Sequence, residues 1–437
     1  MRIIWIILVA TAMIGVGYVS FLLSERFKST PLATVVESTI YPVADIAYPA
    51  VTICNYNRVN WKRIDEVKQK YIPNASEVTQ QNFESYLTVL NRLEYGSFDE
   101  FVGIDDWDLT QLEHIDLLEL YKDVAYQCEE LFEDATCWWR NRYFNCCEKF
   151  VQQRCEYGLC LSFNSATNRD GYEIYQNTSN YPFRTSSAMD WSGLRVEFTV
   201  PQANFPPSMK SEDLGIMVIV GNPFEWPSFG YFIPAGTSTG VSIRPTYSYA
   251  TENVKNLEVK ERLCIFDHEL HKKINNEEVM TLPLPLKKYY VGNCYSECRQ
   301  RHMIKFCNCT IDFFYPTAIM NYQKPPPGNP FFNDDEEGIT CNCWQECARV
   351  EYAVDVAPNM LSESDPGKII FDVHYQRATI VKYRTDVVFG WMDLMDSVQV
   401  VNGTYLFLFF GVFLLLFLSF FISMMLPLCH VHRIQVK

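Results

Sequence analysis

Two stretches of this chain contain no charged side chain, and they lie near its two ends. The first, Ile3–Leu23, has 21 residues and would be roughly 31 Å long as a helix, which is enough to cross a bilayer. Arg2 before it also resembles the start of a cleaved signal peptide, but the apolar run exceeds the ~7–15 residues usual there. The second stretch is uncharged from Val398 to Cys429 and consists mostly of Phe and Leu between Tyr405 and Met425. The pattern therefore predicts transmembrane helices at 3–23 and 404–425.

The region between these stretches has the signature of an extracellular domain. Residues 24–397 contain 15 of the 16 cysteines and three glycosylation sequons, at Asn74, Asn177 and Asn308. Disulfides and sequons belong to an oxidising compartment, so both ends of the chain are predicted to be cytosolic. These ends would be a vestigial N-terminus at 1–2 and a tail at 426–437. We therefore expect a plasma-membrane protein with two spans and one large extracellular domain.

The periodicity of apolar residues within this domain predicts a mixed fold of class α+β. Alternation marks strands, spacing of three to four marks helices, and clusters of polar residues or proline mark loops. The predicted strands are Leu194–Val200, Met217–Val220 and Ile369–His374, the predicted helices are Leu112–Tyr126 and Leu263–Asn275, and the predicted loops are Glu129–Trp139 and Pro325–Gly328.

The cysteines of this domain are predicted to form disulfides. Zinc is the alternative, but zinc sites favour two-residue gaps between paired cysteines, and the spacing here is mostly C-x-C or C-x3-C. The adjacent Cys146 and Cys147 cannot comfortably bridge each other and must join other segments. A helix carrying Cys294, Cys298 and Cys307 would place sulfurs on roughly one side, which predicts a ladder of disulfides. The candidates are Cys54, Cys128, Cys137, Cys146, Cys147, Cys155, Cys160, Cys264, Cys294, Cys298, Cys307, Cys309, Cys341, Cys343 and Cys347, an odd number, so at least one thiol has no intrachain partner.

Charge and composition exclude several functional classes. The chain is 48% hydrophobic and 20% charged, which argues against disorder, and its net charge of −15 argues against a nucleic-acid partner. An acidic surface suits a cation, although the solubility of an extracellular domain explains the same bias. The sequence contains no H-E-x-x-H, G-x-S-x-G, P-loop or G-x-G-x-x-G motif. We therefore predict no enzyme activity, no catalytic residue, no cofactor and no metal site.

Several motifs follow one another in the order found in a known family. Tyr48–Arg58 reads YPAVTICNYNR and resembles the FPAVTICN motif of the degenerin/epithelial sodium channel family, with Tyr in place of the first Phe. The remaining matches are Tyr289–Cys298, Cys307–Cys309 with Phe314–Pro316, and Cys341–Cys347, which resemble the family's cysteine-rich helical subdomain, and Pro182–Thr185 and Val388–Met395, which are close to the insect pickpocket-like branch.

This resemblance implies a function in sodium transport. Members of the family are trimers of two-span subunits around an amiloride-sensitive sodium pore lined by the second helices. Their extracellular domain, shaped like a clenched hand with a central β-sheet and peripheral helices, passes a ligand or mechanical signal to the pore. The implied partners are sodium ions, the lipid bilayer and related channel subunits in a homo- or heterotrimer. Asp393 and Asp396, just outside the second span, are the candidates for attracting cations at the pore mouth.

The second span departs from the family at the selectivity filter, where Gly-x-Ser is expected. Aligned without gaps, this filter falls on Phe407-Leu408-Phe409, and the nearest glycine would start it at Gly411, with Phe413 last. Three phenyl rings meeting on a threefold axis would form a dehydrated plug rather than an ion site. The sequence therefore leaves two alternatives beside a conducting subunit: a non-conducting, modulatory subunit of a heteromeric channel, and a cysteine-rich surface receptor.

Overall fold

The computed structural model describes residues 2–29, 31–92, 115–200, 205–206, 214–269, 273–274, 277–278, 288–307, 341, 343–361 and 367–387. The described residues divide into two compact units, one lying within 2–35, 250–262 and 385–387 and the other within Val36–Tyr249 and Leu263–Arg384. The helices are α1 (Arg2–Ser29), α2 (Ile64–Tyr71), α3 (Glu77–Arg92), α4 (Leu117–Val124), α5 (Cys128–Leu131), α6 (Arg169–Asn177), α7 (Val259–Arg262) and α8 (Val291–Cys307). None of the helices in the described part of the chain combines the length and the apolar content needed to cross a membrane.

The strands form two main sheets among the described residues. One sheet has the order β1-β17-β10-β16-β7-β3-β4, with β15 beside β10, and the other has the order β5-β6-β2-β8-β9. Two short pairs, β11-β14 and β12-β13, complete the set. The bounds are β1 (Leu32–Pro42), β2 (Ala50–Asn55), β3 (Thr136–Trp139), β4 (Arg142–Phe144), β5 (Phe150–Cys155), β6 (Gly158–Phe163), β7 (Leu194–Thr199), β8 (Gly215–Gly221), β9 (Tyr231–Pro234), β10 (Thr237–Ala250), β11 (Cys264–Ile265), β12 (Lys273–Ile274), β13 (Glu277–Glu278), β14 (Gln345–Glu346), β15 (Ala348–Met360), β16 (Lys368–Tyr375) and β17 (Thr379–Val387).

The largest hydrophobic core joins the two sheets. Apolar residues alternate along β7, β10 and β16 of one sheet and along β2, β6 and β8 of the other, and their inward side chains are buried together. Tyr48, which takes the place of Phe in the sequence motif, is completely buried there. Its hydroxyl donates to the Val373 carbonyl at 2.6 Å and accepts from the Leu194 N–H at 3.1 Å. The extra oxygen of tyrosine thus binds the strands of the first sheet to the start of the motif.

A second, separate core holds the helices α2, α3 and α4 together. These helices are amphipathic, and Phe83, Leu87 and Leu90 on α3 are fully buried. They pack against α2 and against Leu120 and Val124 of α4. Among the described residues of this core there is no cysteine, so apolar burial is its main source of stability.

The predicted secondary structure agrees with much of this fold. The three predicted strands are confirmed as β7, β8 and β16, and α4 lies within the predicted helix Leu112–Tyr126, whose residues 112–114 are outside the described part. The helix predicted at Leu263–Asn275 is wrong, because Cys264–Ile265 pairs with β14 as a strand and Cys264 is bonded to Cys347. The loop predicted at Glu129–Trp139 is wrong in part, since it contains most of α5 and all of β3. The loop predicted at Pro325–Gly328 lies outside the described residues.

Both short elements in that supposed loop have a local cause. At the start of helix α5, Glu130 Oε2 accepts from the Gln127 N–H at 2.9 Å, as the glutamate of a capping box does, and the Glu130 N–H donates to the Gln127 carbonyl at 3.1 Å. Strand β3 is fixed by a disulfide between Cys137 and Cys146 and by pairing with β4 and β7. A mixed α/β domain rich in disulfides fits the extracellular domain that the sequence predicts.

Candidate functional site

Twelve of the fifteen candidate cysteines are paired in the structure. This confirms that the chain forms disulfides. The pairs are Cys54–Cys160, Cys128–Cys147, Cys137–Cys146, Cys264–Cys347, Cys294–Cys343 and Cys298–Cys341. Cys155 is a free, buried thiol, and burial raises its pKa to about 12. Cys309 and the side chain of Cys307 are outside the described part of the structure.

Helix α8 carries the ladder of disulfides that the cysteine spacing predicts. Cys294 and Cys298 are one turn apart on this helix, and they bind Cys343 and Cys341 of a segment that runs past the helix in the opposite direction. The third bond, Cys264–Cys347, joins β11 to the residue after β14. The sequence alone did not predict these pairings, because C-x-C spacing is compatible with many connectivities.

The first turn of α8 is attached to the turn that follows β8. The Trp226 N–H donates to Asn293 Oδ1 at 2.7 Å, and Asn293 Nδ2 donates to the Phe224 carbonyl at 3.0 Å. Asn293 is 1% exposed, so these bonds form in surroundings where an unmade hydrogen bond is costly. This side chain therefore fixes the position of α8 relative to the five-stranded sheet.

Two carboxylates approach the same end of α8, Glu346 buried and Glu225 half-buried. Glu346 accepts from the Val291 N–H at 2.8 Å, and Glu225 accepts from the Gly292 N–H at 3.4 Å. Backbone N–H groups at a helix start favour negative charge. Burial nevertheless dominates, assisted by repulsion from Glu346, and raises the pKa of Glu225 to about 7. Burial also raises the pKa of Glu346.

A third carboxylate connects α8 to the hairpin of β5 and β6. Glu156 in the turn of this hairpin forms an ion pair with Arg299 of α8. Burial raises the pKa of Glu156 to about 7, while the guanidinium of Arg299 opposes this rise. Gly158 in the same turn has φ +97°, and Tyr121 of α4 lies directly against it, at a position where an added Cβ would be 2.1 Å from the hydroxyl oxygen. One hairpin turn thus contacts both α8 and α4.

The pickpocket-like motif Pro182–Thr185 joins three segments. Arg184 Nη1 donates to the Asp45 carbonyl at 2.6 Å, and Thr185 Oγ1 donates to the Ser192 carbonyl at 3.0 Å. The Phe183 ring stacks on Phe163 in the core, with centroids 5.3 Å apart. The motif therefore has a structural role in holding the turn before β2 and the loop before β7.

The predicted pore residues are not among those described. Asp393, Asp396, Phe407, Leu408, Phe409, Gly411 and Phe413 all lie outside the described part, so their roles remain predictions. Two of the three sequons are described, and both asparagines, Asn74 and Asn177, are exposed on the surface. Exposure is necessary for a glycan to be attached. Asn308 lies outside the described residues.

The sequence did not indicate the carboxylates that surround α8. It also did not indicate the side chains that contact His374, a residue within the predicted strand Ile369–His374. Glu156, Glu225 and Glu346 stand in segments without a chemical motif, and acidic residues in such segments are usually solvated. The sign of these carboxylates in the sequence is that they lie near cysteines or near the start of α8. That proximity can be interpreted only when the disulfide pairing is known. Disulfides, hydrogen bonds and an ion pair thus connect α8 to a hairpin and two sheets, and carboxyl groups lie at several of these contacts.

Comparison with known proteins shows which proteins this chain resembles. The sequence profile of the family described as "Amiloride-sensitive sodium channel" matches residues 1–421. Pickpocket protein 19 of Drosophila melanogaster is 22% identical over 429 residues, which cover 93% of this chain and 82% of that protein. Sodium channel protein Nach of Drosophila ananassae is 24% identical over 76% of this chain and 62% of its own length. Acid-sensing ion channel 1A of Danio rerio is 19% identical over 81% of this chain and 66% of its own length.

Proposed function

The chain belongs to the amiloride-sensitive sodium channel family, and we propose that it is a subunit of a trimeric, amiloride-sensitive sodium channel gated by a ligand or by force. Members of an ion-channel family are not enzymes, so the expectation that this chain is not an enzyme is confirmed by its family. The similar proteins of Drosophila and Danio are named as sodium and acid-sensing channels. Sodium transport across the plasma membrane is the function that these relationships support.

The attachment of α8 is the structural observation that carries this proposal. Two disulfides bind the helix to the segment before β14, Asn293 binds it to the turn after β8, and Glu156 binds it to the hairpin of β5 and β6. A helix fixed at so many points moves together with its neighbours, because a displacement cannot dissipate in rotamer changes. A domain of this kind suits the transmission of a stimulus to a pore.

The proposed topology has membrane spans at 3–23 and 404–425, a domain outside the cell at 24–397 and both termini in the cytosol. It is supported by the uncharged sequence of both stretches and by the family. Glycosidase treatment of the full chain from cells tests it, since Asn74→Gln and Asn177→Gln should each remove one glycan. Unchanged electrophoretic mobility of both variants would contradict an extracellular domain.

A non-conducting role in a heteromeric channel is the second candidate, and the phenylalanines at the filter position favour it. Phenylalanine takes the place of the filter serine on either alignment, as Phe409 without gaps or as Phe413 when the filter starts at Gly411, and an aromatic ring cannot replace the hydration of sodium. In a heterotrimer the other subunits would provide the filter. Asp393 and Asp396 would still raise the local concentration of cations at the mouth.

Electrical recording separates these two roles. The chain should be expressed alone and together with a related subunit, with surface labelling to show that it reaches the membrane. We expect no amiloride-sensitive current alone and a changed amplitude or gating of the partner's current. A current from the chain alone that Asp393→Ala abolishes would establish conduction and contradict the modulatory role. A chain at the surface that changes no current in either experiment would contradict the channel proposal.

A further inference from the structure

His374 on β16 lies between two aspartates and a serine. Its Nδ1 lies 2.8 Å from Asp372 Oδ1, a normal hydrogen-bond distance. Its Nε2 lies 3.1 Å from Ser242 Oγ and 3.4 Å from Asp190 Oδ1. The side chains of His374 and Asp372 are each 6% exposed, whereas that of Asp190 is 75% exposed. The imidazole thus has one buried carboxylate behind it and one solvent-facing carboxylate in front.

The bond to Asp372 determines which nitrogen of the imidazole carries a proton. Carboxylates accept hydrogen bonds, so Nδ1 must donate, and the neutral ring then presents a lone pair at Nε2. That lone pair points to a region where the Asp190 oxygen is also an acceptor. Two acceptors facing each other repel unless a proton on Nε2 or a metal ion lies between them. A carboxylate bonded to one ring nitrogen, with oxygen ligands facing the other nitrogen, is the usual arrangement of a metal-binding histidine.

The distances fit a metal ion better than a direct ion pair. Ion pairs with charge-assisted hydrogen bonds have N···O distances of about 2.7–2.9 Å. Two ligands at about 2.0–2.1 Å from a tetrahedral zinc ion would be roughly 3.3–3.4 Å apart. The observed 3.4 Å between Nε2 and Asp190 Oδ1 matches the second value. The exposed side of Asp190 also provides a path for an ion to enter from solvent.

The loop that carries Asp190 is fixed in position. Met189 and Trp191 on either side of it have φ values of 72° and 65°, in the left-handed region that non-glycine residues rarely adopt. The Met189 N–H donates to the Tyr375 carbonyl at 2.8 Å, and the Trp191 N–H donates to Asp372 Oδ2 at 3.0 Å. These bonds hold the loop against β16, so the backbone at Asp190 is already in place for a ligand.

The surrounding charges favour a cation. Arg195 Nη1 is 3.9 Å from Asp372 Oδ2, and its guanidinium also lies 4.0 Å from the centroid of the Trp191 ring. On β15, which pairs with the Ser242 strand β10 and not with β16, Asp355 forms its own ion pair with Arg244 at 2.7 Å. With one arginine near two aspartates, and with the Asp355 pair neutral, the cluster carries a net negative charge when His374 is neutral.

We propose that His374 Nε2 and the Asp190 carboxylate bind a divalent transition-metal ion of the zinc class, with Ser242 and water completing its shell. Asp372 acts behind the histidine by orienting the ring. Imidazole together with one carboxylate suits zinc, nickel or copper rather than calcium. In the described part of the chain, two other groups of close metal-ligand side chains, around Cys54 and Cys298, consist mainly of cysteines in disulfides, which offer no thiolate. The sequence predicted no such site because its ligands come from separate segments.

Metal titration of the purified full chain in detergent tests this proposal. Zn²⁺ is added under non-reducing conditions in competition with a chromophoric chelator, and Co²⁺ serves as a spectroscopic probe of the coordination geometry. We expect His374→Gln to abolish one saturable site and Asp190→Asn to weaken it at least tenfold. His302→Gln and Asp170→Asn are the matched controls, and both should retain it. Metal at this site should also slow hydrogen exchange in the loop 186–193.

Each outcome of the titration decides the question. Asp190→Asn alters an exposed side chain, so its loss of binding cannot come from misfolding, and disulfide mapping shows whether His374→Gln has folded. Binding that both variants retain at the affinity of the unmodified chain would overturn the proposal. So would binding that the two controls weaken equally, because the ion would then be held elsewhere on the chain.

Discussion

Helix α8 and the three helices α2–α4 have similar local structure but are stabilised by different forces. Helix α3 buries three large apolar side chains, Phe83, Leu87 and Leu90, beside Thr79 and Asn91 at its ends. Helix α8 buries Asn293, Glu297 and Gln300 beside its disulfide cysteines. Burial of apolar side chains stabilises a helix directly, at about 25 cal/mol per Å². Burial of polar side chains does not, unless each one finds a partner. The described part of α8 therefore relies on disulfides and polar contacts, and the other helices rely on their core.

This difference has a consequence for function. The positions of buried polar groups and disulfides are fixed by directional contacts, while an apolar core tolerates repacking. Helix α8 can therefore transmit a defined displacement, and its stability can respond to pH and to reducing agents. The apolar core of α2–α4 contains no cysteine among its described members, so we expect it not to respond to reducing agents. Hydrogen bonds from Lys70 and Tyr71 outweigh burial and hold the pKa of Asp123 on α4 below its ordinary value, so this group stays ionised between pH 5.5 and 7.5.

The largest effect is expected from truncation of the apolar core. Phe83→Ala removes a fully buried ring and should cost about 3–5 kcal/mol of local stability. Hydrogen exchange with mass spectrometry on the full chain measures this, with faster exchange in α2–α4 and little change in α8. Val78→Ala, at an exposed position of the same helix, is the matched control. Equal loss of protection in α8 would show that the two regions unfold as one.

Removal of one disulfide from α8 should lower stability somewhat less, and the region affected should be α8 instead of α2–α4. The double variant Cys298→Ala/Cys341→Ala avoids an unpaired thiol and should cost about 2–4 kcal/mol, the typical contribution of one disulfide, while Cys294–Cys343 keeps the surrounding loop closed. Exchange should accelerate in α8 and remain unchanged in α2–α4. Cys155→Ala, which removes a buried sulfur outside any disulfide, is the control. Unchanged protection of α8 would mean that polar contacts alone hold it.

The same contrast explains what could be predicted from the sequence. The alternation of apolar residues identified β7, β8 and β16, because these strands bury one face in a continuous core. Leu263–Asn275 has helical spacing, yet its first residues form a strand, since pairing with β14 and a disulfide to Cys347 override local preference. The spacing of apolar residues indicates which side chains are buried, but it contains no information about covalent bonds between segments.

The candidate sites were harder to predict for a related reason. The cysteine ladder on α8 followed from spacing, but its partners did not, because connectivity depends on which segments meet in space. Asp190, Ser242 and His374 come from three separate segments, brought together by the parallel pairing of β10 with β16 and by the loop before β7. Nothing in the sequence around any one of them indicates the other two.

The smallest predicted effect is a dependence of the stability of α8 on pH. Glu225 has a folded-state pKa of about 7, well above its ordinary value of 4.5, because it is buried near Glu346. Between these two values the folded state binds more protons than the unfolded state, so stability is greatest at low pH and decreases as pH rises toward 7. The change for one such group is at most about 1.4 kcal/mol per pH unit. We expect α8 to exchange more slowly at pH 5.5 than at pH 7.5, after correction for the intrinsic exchange rate.

Substitution isolates the contribution of this one carboxyl group. Glu156, Glu297 and Glu346 also have raised pKa values and act in the same direction, so part of the pH dependence will persist in any single variant. Glu225→Gln keeps the shape and the acceptor oxygen but cannot titrate, and it should reduce the slope of stability against pH. Glu119→Gln, at an exposed position of α4, should leave the slope unchanged. If Glu225→Gln and Glu119→Gln give the same slope in α8, the pH dependence does not arise at the helix start. The contrast between the two regions would then rest on the disulfides alone.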